Sequence, residues 1–300
     1  MISKTGKKER FRLKKDKTTP VDLSQARERG QRRTALAREP LKILQITDTH
    51  LYADNAGRLL GVNTLESFRA VIQNFLETGW QPDIVLATGD LVHDATPRGY
   101  RQLARILDIF EIPVYCLPGN HDDPKAMKEH LQGRNVSCPK VVEQGGWRLV
   151  LLDSVIPGKV GGSLASAELD LLARTLEKEA LPTLISLHHQ PVAVGSEWLD
   201  EMGLDNADAL LEQVDAHPEV KGLLWGHVHQ QFDDHRNGVR LMSTPSTCVQ
   251  FKPDSERFSV DKRKPGFRLL TLMPDGQILS EVMRTDQLPL GLDIASAGYE

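Results

Sequence analysis

The sequence predicts an α/β fold in which two β-sheets pack together with helices outside them. Three observations carry this expectation. From Leu41 onward, short Leu-rich or β-branched runs alternate with amphipathic segments. The candidate strands outnumber the candidate helices, and beyond Lys221 strand follows strand with no helical pattern between. The last feature excludes a simple eight-fold barrel, in which each strand is followed by a helix.

The elements follow in order. A first strand over residues 41–46 ends in Asp48-Thr49-His50, and helical spacing then runs over 64–78. A second strand, 84–88, ends in Gly89-Asp90 and leads to a helix over 97–110 that opens with Pro97. A third, 114–117, runs into Gly119-Asn120-His121-Asp122, followed by a helix over 124–131 opened by Pro124. Proline suits a first helical turn because the missing N–H has no partner there. Next come a strand over 148–153, a helix over 167–179 and a strand over 183–187 that ends in His188-His189. A helix over 206–214 precedes a strand over 220–225, which ends in Gly226-His227-Val228-His229. Strands over 239–243, 267–272 and 278–284 close the body, with a frayed tail expected over 287–300.

Composition sets the class. With 300 residues, 40% hydrophobic and 26% charged, the chain suits one large globular domain and excludes disorder throughout. Such a domain buries about three-quarters of its unfolded surface without disulfides. No run approaches the roughly 18 uninterrupted apolar residues of a membrane span, and the basic N-terminus lacks a signal-peptide apolar run. A cytoplasmic protein with no membrane partner is expected. Cys116, Cys138 and Cys248 form no C-x-x-C pair and read as reduced thiols. Residues 1–40 hold 13 of the 37 Lys/Arg but 5 of the 41 Asp/Glu, which leaves 24 against 36 for the remainder. This stretch reads as a basic, disordered, solvated extension. A nucleic-acid or anionic-surface contact is its functional alternative.

The chemistry sits at strand ends. Ligands of open α/β sheets gather at carboxyl ends, so the five polar clusters above can converge although far apart in sequence. Glycines before Asp90, Asn120 and His227 allow sharp turns and close backbone approach. Alone, a D-x-H turn or a His pair is an ordinary loop. Together, two carboxylates, an amide and several imidazoles after β runs point to metal. His93, His130, His217 and His235 lie on helical or polar stretches and read as structural or solvated. Mixed Asp, Asn and His donors without thiolate favour Fe, Mn, Co or catalytic Zn over iron–sulfur or structural zinc sites. Seven donors exceed one ion's needs and fit two ions about 3.5–4 Å apart sharing a carboxylate. Asp90, alone at its strand end, is the natural bridge.

The set Asp48-x-His50, Gly89-Asp90, Gly119-Asn120-His121-Asp122, His188 and Gly226-His227-x-His229 resembles the calcineurin-like metallophosphoesterase superfamily, in motif order, from Leu41 to about Met283. More narrowly, QITDTHL at 45–51, LGVNT at 60–64 and TPSTCVQFKP at 244–253 resemble the bacterial class III cyclic-AMP phosphodiesterases. The resemblance implies a four-layer αββα sandwich, two mixed sheets flanked by helices, with a catalytic domain over residues 41–286. It implies Asp48, His50, Asp90 and His229 around a first divalent metal, and Asp90, Asn120, His188 and His227 around a second. His188 is chosen over His189 on the family's pattern. Iron or manganese is expected, with zinc or cobalt as alternatives.

The implied reaction is hydrolysis of 3′,5′-cyclic AMP to 5′-AMP, with a bridging hydroxide as nucleophile. Two divalent ions outweigh two carboxylates, so the site attracts an anionic diester. His121 is the candidate proton donor to the leaving oxygen, with orientation of a ligand as its alternative. Asp122 is expected to orient a neighbour or cap the helix at Pro124. His50, Asp90, Asn120, His121 and His229 are expected beside the phosphate. Tyr52, Trp198, Phe251 and Phe258 are candidates for a base-binding wall, or ordinary packing residues. Another diester, such as a glycerophosphodiester or nucleic-acid end, is the alternative substrate, and a non-enzymatic scaffold the alternative class. The expected partner is a small cyclic nucleotide rather than nucleic acid, and oligomeric state stays open.

Overall fold

The computed structural model describes residues 39–298, so the extension expected over 1–40 lies outside the described residues except for Glu39 and Pro40. In chain order the strands are β1 (Leu41–Ile46), β2 (Arg58–Leu59), β3 (Val62–Asn63), β4 (Ile84–Thr88), β5 (Val114–Leu117), β6 (Val136–Ser137), β7 (Val141–Gln144), β8 (Trp147–Leu151), β9 (Thr183–Ser186), β10 (Val220–Trp225), β11 (Phe232–Arg236), β12 (Val239–Ser243), β13 (Gln250–Phe251), β14 (Val260–Asp261), β15 (Gly266–Leu272) and β16 (Ile278–Arg284). The helices are α1 (Thr64–Glu77), α2 (Pro97–Leu107), α3 (Pro124–His130), α4 (Ser166–Leu176), α5 (Glu197–Asp200) and α6 (Ala207–Ala216).

Two six-stranded sheets, ordered β16-β15-β1-β4-β5-β6 and β11-β12-β10-β9-β8-β7, form the centre. Side chains alternate across a strand, so each central strand feeds two cores. In β1, Leu41 and Ile43 enter the core between the sheets, while Leu44 and Ile46 enter the core shared with α1 and α2. In β4 the same division separates Ile84 and Leu86 from Val85 and Ala87. On the other sheet, Leu184 and Leu224 face inward, and Ile185 and Leu223 face α4 and α6. The result is the expected αββα sandwich. Burial on both faces also explains why these strands are almost uninterrupted apolar runs.

Strands β1, β4 and β5 are mutually parallel, as are β8, β9, β10 and β12. Their carboxyl ends open toward one side, and the polar loops meet there.

Several boundaries differ from expectation, each for a local reason. The strand expected over 148–153 is β8, which starts one residue earlier because Gln144 pairs with Trp147 across a Gly145-Gly146 turn. Both glycines have positive φ, 60° and 82°, the backbone of a two-residue hairpin. The strand expected over 183–187 ends at Ser186, and helix 97–110 stops at Leu107 before a 3₁₀ turn over Asp108–Phe110. The edge strands β7 and β11, the two-residue strands β2, β3, β6, β13 and β14, and the short α5 were not expected. Residues 287–298, expected to fray, form no helix or strand, yet Leu292 packs on the second sheet's core and the Asp293 N–H donates to Leu60 O at 2.9 Å. Gly61, at φ 80°, makes room there, since a Cβ would lie 2.1 Å from the Gly291 carbonyl oxygen. Among the described residues no helix is long and apolar enough to cross a membrane.

Candidate functional site

The loops after β1, β4 and β10 share an unusual backbone. Asp48, His50, Asp90, His227 and His229 all have positive φ, between 44° and 65°. That region disfavours non-glycine residues, at an order of 1–3 kcal/mol each, and persists only where surroundings hold it. Here they do. Asp48 N–H donates to Gly89 O at 3.0 Å, His50 N–H to Asp90 O at 2.9 Å, and His227 N–H to the Asp48 carboxylate at 3.0 Å. The loops therefore brace one another. Gly226 permits the closest approach, because a Cβ would lie 2.2 Å from Thr47 Oγ1 and 2.8 Å from Asp48 Oδ2.

The side chains converge on one buried spot. Donor atoms of Asp48, His50, Asp90 and His229 all lie within 4.8 Å of one another. Asp90 faces two ways: Oδ2 is 3.7 Å from His50 Nε2, and Oδ1 is 3.3 Å from His188 Nε2. His188 Nε2 is also 3.2 Å from Asn120 Oδ1. His227 joins on the His188 side, with ring centroids 5.1 Å apart. All seven residues of the sequence-derived donor set thus meet at the strand ends.

The proton arrangement calls for cations. His188 Nδ1 and His229 Nδ1 each lie 2.9 Å from a backbone carbonyl, of Thr88 and Val249 respectively. A carbonyl only accepts, so Nδ1 carries the hydrogen, and it is Nε2 of each ring that faces the site, bare whenever the ring is neutral. Asp48 Oδ2 and His227 Nε2 are buried with no hydrogen-bond partner. Burial alone would raise Asp90, but His188, His121 and His50 hold it well below the usual carboxylate range. Burial opposes charge on His188, yet Asp90 and Asp48 outweigh it and push this ring up to about 9. His50 and His227 move far below the ordinary histidine value, chiefly through burial. Two carboxylates that hold a proton on His188, beside an unpartnered Asp48 oxygen and His227 nitrogen, fit a site that a divalent metal would fill in place of that proton. His189 differs: its nitrogens lie 2.8 Å from Ser154 Oγ and 2.9 Å from Val160 O, and burial lowers it to about 3.

A sequence profile of the calcineurin-like phosphoesterases matches residues 41–231. The chain belongs to that family. It is 43% identical over 261 residues to the 3′,5′-cyclic adenosine monophosphate phosphodiesterase CpdA of Escherichia coli, covering 86% of this chain and 95% of that one. Against the protein of that name from Pseudomonas aeruginosa the identity is 39% over 258 residues, covering 86% and 94%. A 3′,5′-cyclic-nucleotide phosphodiesterase of a Nostoc species is 42% identical over 246 residues, covering 82% and 92%. Among solved structures, a dimetal phosphatase from Danio rerio aligns with TM-score 0.55 at 14% identity, over 83% of this chain and 100% of that one. Purple acid phosphatase from yellow lupin aligns with TM-score 0.58 at 15% identity, over 85% and 53%. At such identities these two speak for the fold alone.

The structure moves His93 from the periphery to this phosphoesterase site and decides between the alternatives left open for Asp122 and for the aromatic candidates. His93, read as structural or solvated, lies at the centre: its Nδ1 is 3.0 Å from His50 Nδ1, and its ring stacks on His121 at 4.4 Å and 19°. The signal was weak, a histidine three residues beyond Asp90, and only the parallel Leu51–Val92 bridge brings it beside His50. Asp122 does not cap α3; Asp123 does, accepting from Lys125 N and Ala126 N. Asp122 instead accepts from Leu91 N, Val92 N and Gly119 N at 3.0 Å and from the Tyr100 hydroxyl at 3.1 Å. Burial, then the Asp90 charge, pushes its carboxyl up to about 6, while those amides oppose them. Of the aromatic candidates, Phe251 is 2% exposed and stacks on His229 at 4.3 Å and 14°, so it backs that ring. Trp198 and Phe258 pack on Phe251, and Tyr52 lies against His93. The run at 244–253 cradles the same edge: Ser246 Oγ donates to Asp48 O at 2.8 Å, and Thr247 N to Thr47 O at 3.2 Å.

Proposed function

We propose that this phosphoesterase hydrolyses 3′,5′-cyclic AMP to 5′-AMP at a dinuclear metal centre. Asp48, His50, Asp90 and His229 hold one ion, and Asp90, Asn120, His188 and His227 the other. The observation that carries the reading is Asp90, whose two oxygens face different donor sets. Support for the substrate comes from relatives about 40% identical over most of both chains. With nitrogen and oxygen donors alone, iron or manganese is the metal proposed, zinc or cobalt the alternative. When bound, such ions acidify water and withdraw charge from phosphoryl oxygens.

The chain's own residues do the rest. His50, Asp90, Asn120, His121 and His229 surround the phosphate. Water adds to phosphorus in line with the 3′ oxygen as the P–O3′ bond breaks, and the proton it loses passes to solvent, from which His121 is reprotonated after each turnover. His121 donates a proton to that oxygen. It is half-buried, its backbone N–H is fixed on Asp90 Oδ1 at 2.9 Å, and its ring meets that of His50 edge-on at 5.0 Å. Residues 41–286 form the catalytic unit in this reading, with residues 1–40 and 287–300 as extensions. A cytoplasmic location is part of it, supported by three free cysteines.

The test is hydrolysis of cyclic AMP by protein reconstituted separately with iron and manganese, beside cyclic GMP, a glycerophosphodiester and an aryl phosphodiester. Efficient formation of 5′-AMP is expected. Turnover of the aryl diester alone would discard the cyclic nucleotide and keep the dinuclear chemistry.

A further inference from the structure

An imidazole that ligates metal through one nitrogen is oriented by whatever its other nitrogen bonds, and loss of that partner typically weakens metal binding about 10–100-fold. For His188 and His229 the partner is a backbone carbonyl, which can only accept. For His50 it is a side chain. The Nδ1 atoms of His50 and His93 lie 3.0 Å apart and share one hydrogen, so the tautomer of one ring dictates that of the other.

The two possibilities have opposite consequences at the site. With the hydrogen on His50 Nδ1, the neutral ring presents a bare Nε2 toward His229 Nε2, 3.1 Å away, which is itself bare because its own Nδ1 serves Val249 O. Two lone pairs then converge where a cation fits. With the hydrogen on His93 Nδ1, neutral His50 must carry its proton on Nε2. That proton points at His229 and closes the position with a hydrogen bond. Backbone and ring contacts fix His93 for this part: its N–H donates to Leu51 O at 2.8 Å, and its ring lies against His121 at 4.4 Å and Tyr52 at 4.8 Å.

We infer that His93 is a positioning residue for the metal centre: it accepts the Nδ1 proton of His50 and thereby holds the His50 Nε2 lone pair toward the first metal position. This rests on the dinuclear reading above. The substitution His93→Asn keeps an acceptor near the place of Nδ1 and discards the ring, whereas His93→Phe keeps a stacking ring and discards the acceptor.

The experiment is calorimetric titration of the chelator-stripped full chain with zinc, for the parent and both variants. The parent is expected to bind two equivalents and His93→Asn to follow it closely. His93→Phe should lose about 10–100-fold in affinity for one equivalent. Parent-like binding of both equivalents by His93→Phe, or equal weakening in the two variants, would overturn the role of His93 and leave the dinuclear centre standing. A parent that binds fewer than two zinc ions would remove the dinuclear reading and this inference with it. Nitrogen-15 spectra of the histidine rings in the zinc-loaded parent test the same claim without any substitution. Nδ1 of His50 should carry hydrogen and Nδ1 of His93 should not; the reverse would reject the assignment.

Discussion

The substitution Asp122→Asn isolates how the loops around Asp90 are held. The carboxylate, 6% exposed, receives four hydrogen bonds: Oδ2 from Leu91 N and Gly119 N, Oδ1 from Val92 N and the Tyr100 hydroxyl. An amide of the same shape has one oxygen, so one side must turn an N–H₂ toward donors. In one orientation Leu91 N and Gly119 N lose their acceptor. In the other, Val92 N loses its acceptor and so does the hydroxyl hydrogen of Tyr100, whose oxygen already accepts from Asp123 N at 2.9 Å. Either way two donors are stranded, and a buried unsatisfied donor costs about 1–3 kcal/mol. The stranded donors cost about 2–6 kcal/mol, but burial and the Asp90 charge push this carboxyl up to about 6, so a neutral amide recovers about 3 kcal/mol at pH 7 and the expected net destabilisation is up to about 3 kcal/mol. At roughly 2 °C per kcal/mol for a domain of this size, Tm falls by up to about 6 °C at pH 7. The assay is thermal unfolding of chelator-treated parent and variant, followed by circular dichroism. A raised Tm at pH 7 would refute the reasoning, since it would mean that the buried charge is relieved while the loop amides find other partners without cost. Gly119 and Leu91 flank Asn120 and Asp90, so zinc affinity measured by calorimetry should fall too.

The other predictions address the site directly. Asp90→Ala is expected to lose both metal ions or nearly all turnover, because it removes the carboxylate facing both donor sets; two retained metals with near-normal turnover would reject it as the bridge. His121→Ala should keep metal binding while kcat drops by roughly 10²–10⁴-fold, with a smaller drop for diesters whose leaving group is already acidic. Equal loss for good and poor leaving groups would exclude proton donation. Gly226→Ala is expected to push Thr47 and Asp48 aside, since the added carbon would lie 2.2 Å from one and 2.8 Å from the other. Parent-like zinc titration of that variant would show that the close approach is dispensable.

Legibility followed burial. β1, β4 and β10 pack on both faces, so their apolar runs announce them without context. β7 and β11 sit at opposite ends of the second sheet's order, and Phe232–Arg236 reads as Phe-Asp-Asp-His-Arg because an edge strand buries little. Its Asp233 instead pairs with Arg240 and with Arg268, a buried cation that also reaches Ser243 O and Phe232 O. Such a pairing has no local pattern. The seven candidate donors were legible because each lies within four residues of a strand's end, and a glycine that marks the turn directly precedes Asp90, Asn120 and His227. The bond from His229 to Val249 O and the contact of His93 with His50 join residues 20 and 43 positions apart.

The succession of the buried strands and longer helices, the αββα layering and the chemical type of the site follow from sequence alone, because they depend on apolar periodicity and on which side chains follow each strand. Proton placement was decided only by the tertiary structure. Whether His188 or His189 turns a bare nitrogen to the centre depends on the nearby carbonyls of Thr88 and Val160. Whether Asp122 caps a helix or braces the Asp90 loop depends on amides 30 and 31 residues away. A hydrogen bond is directional over about 3 Å, and so the partner that fixes each imidazole exists only once distant loops have been folded against one another.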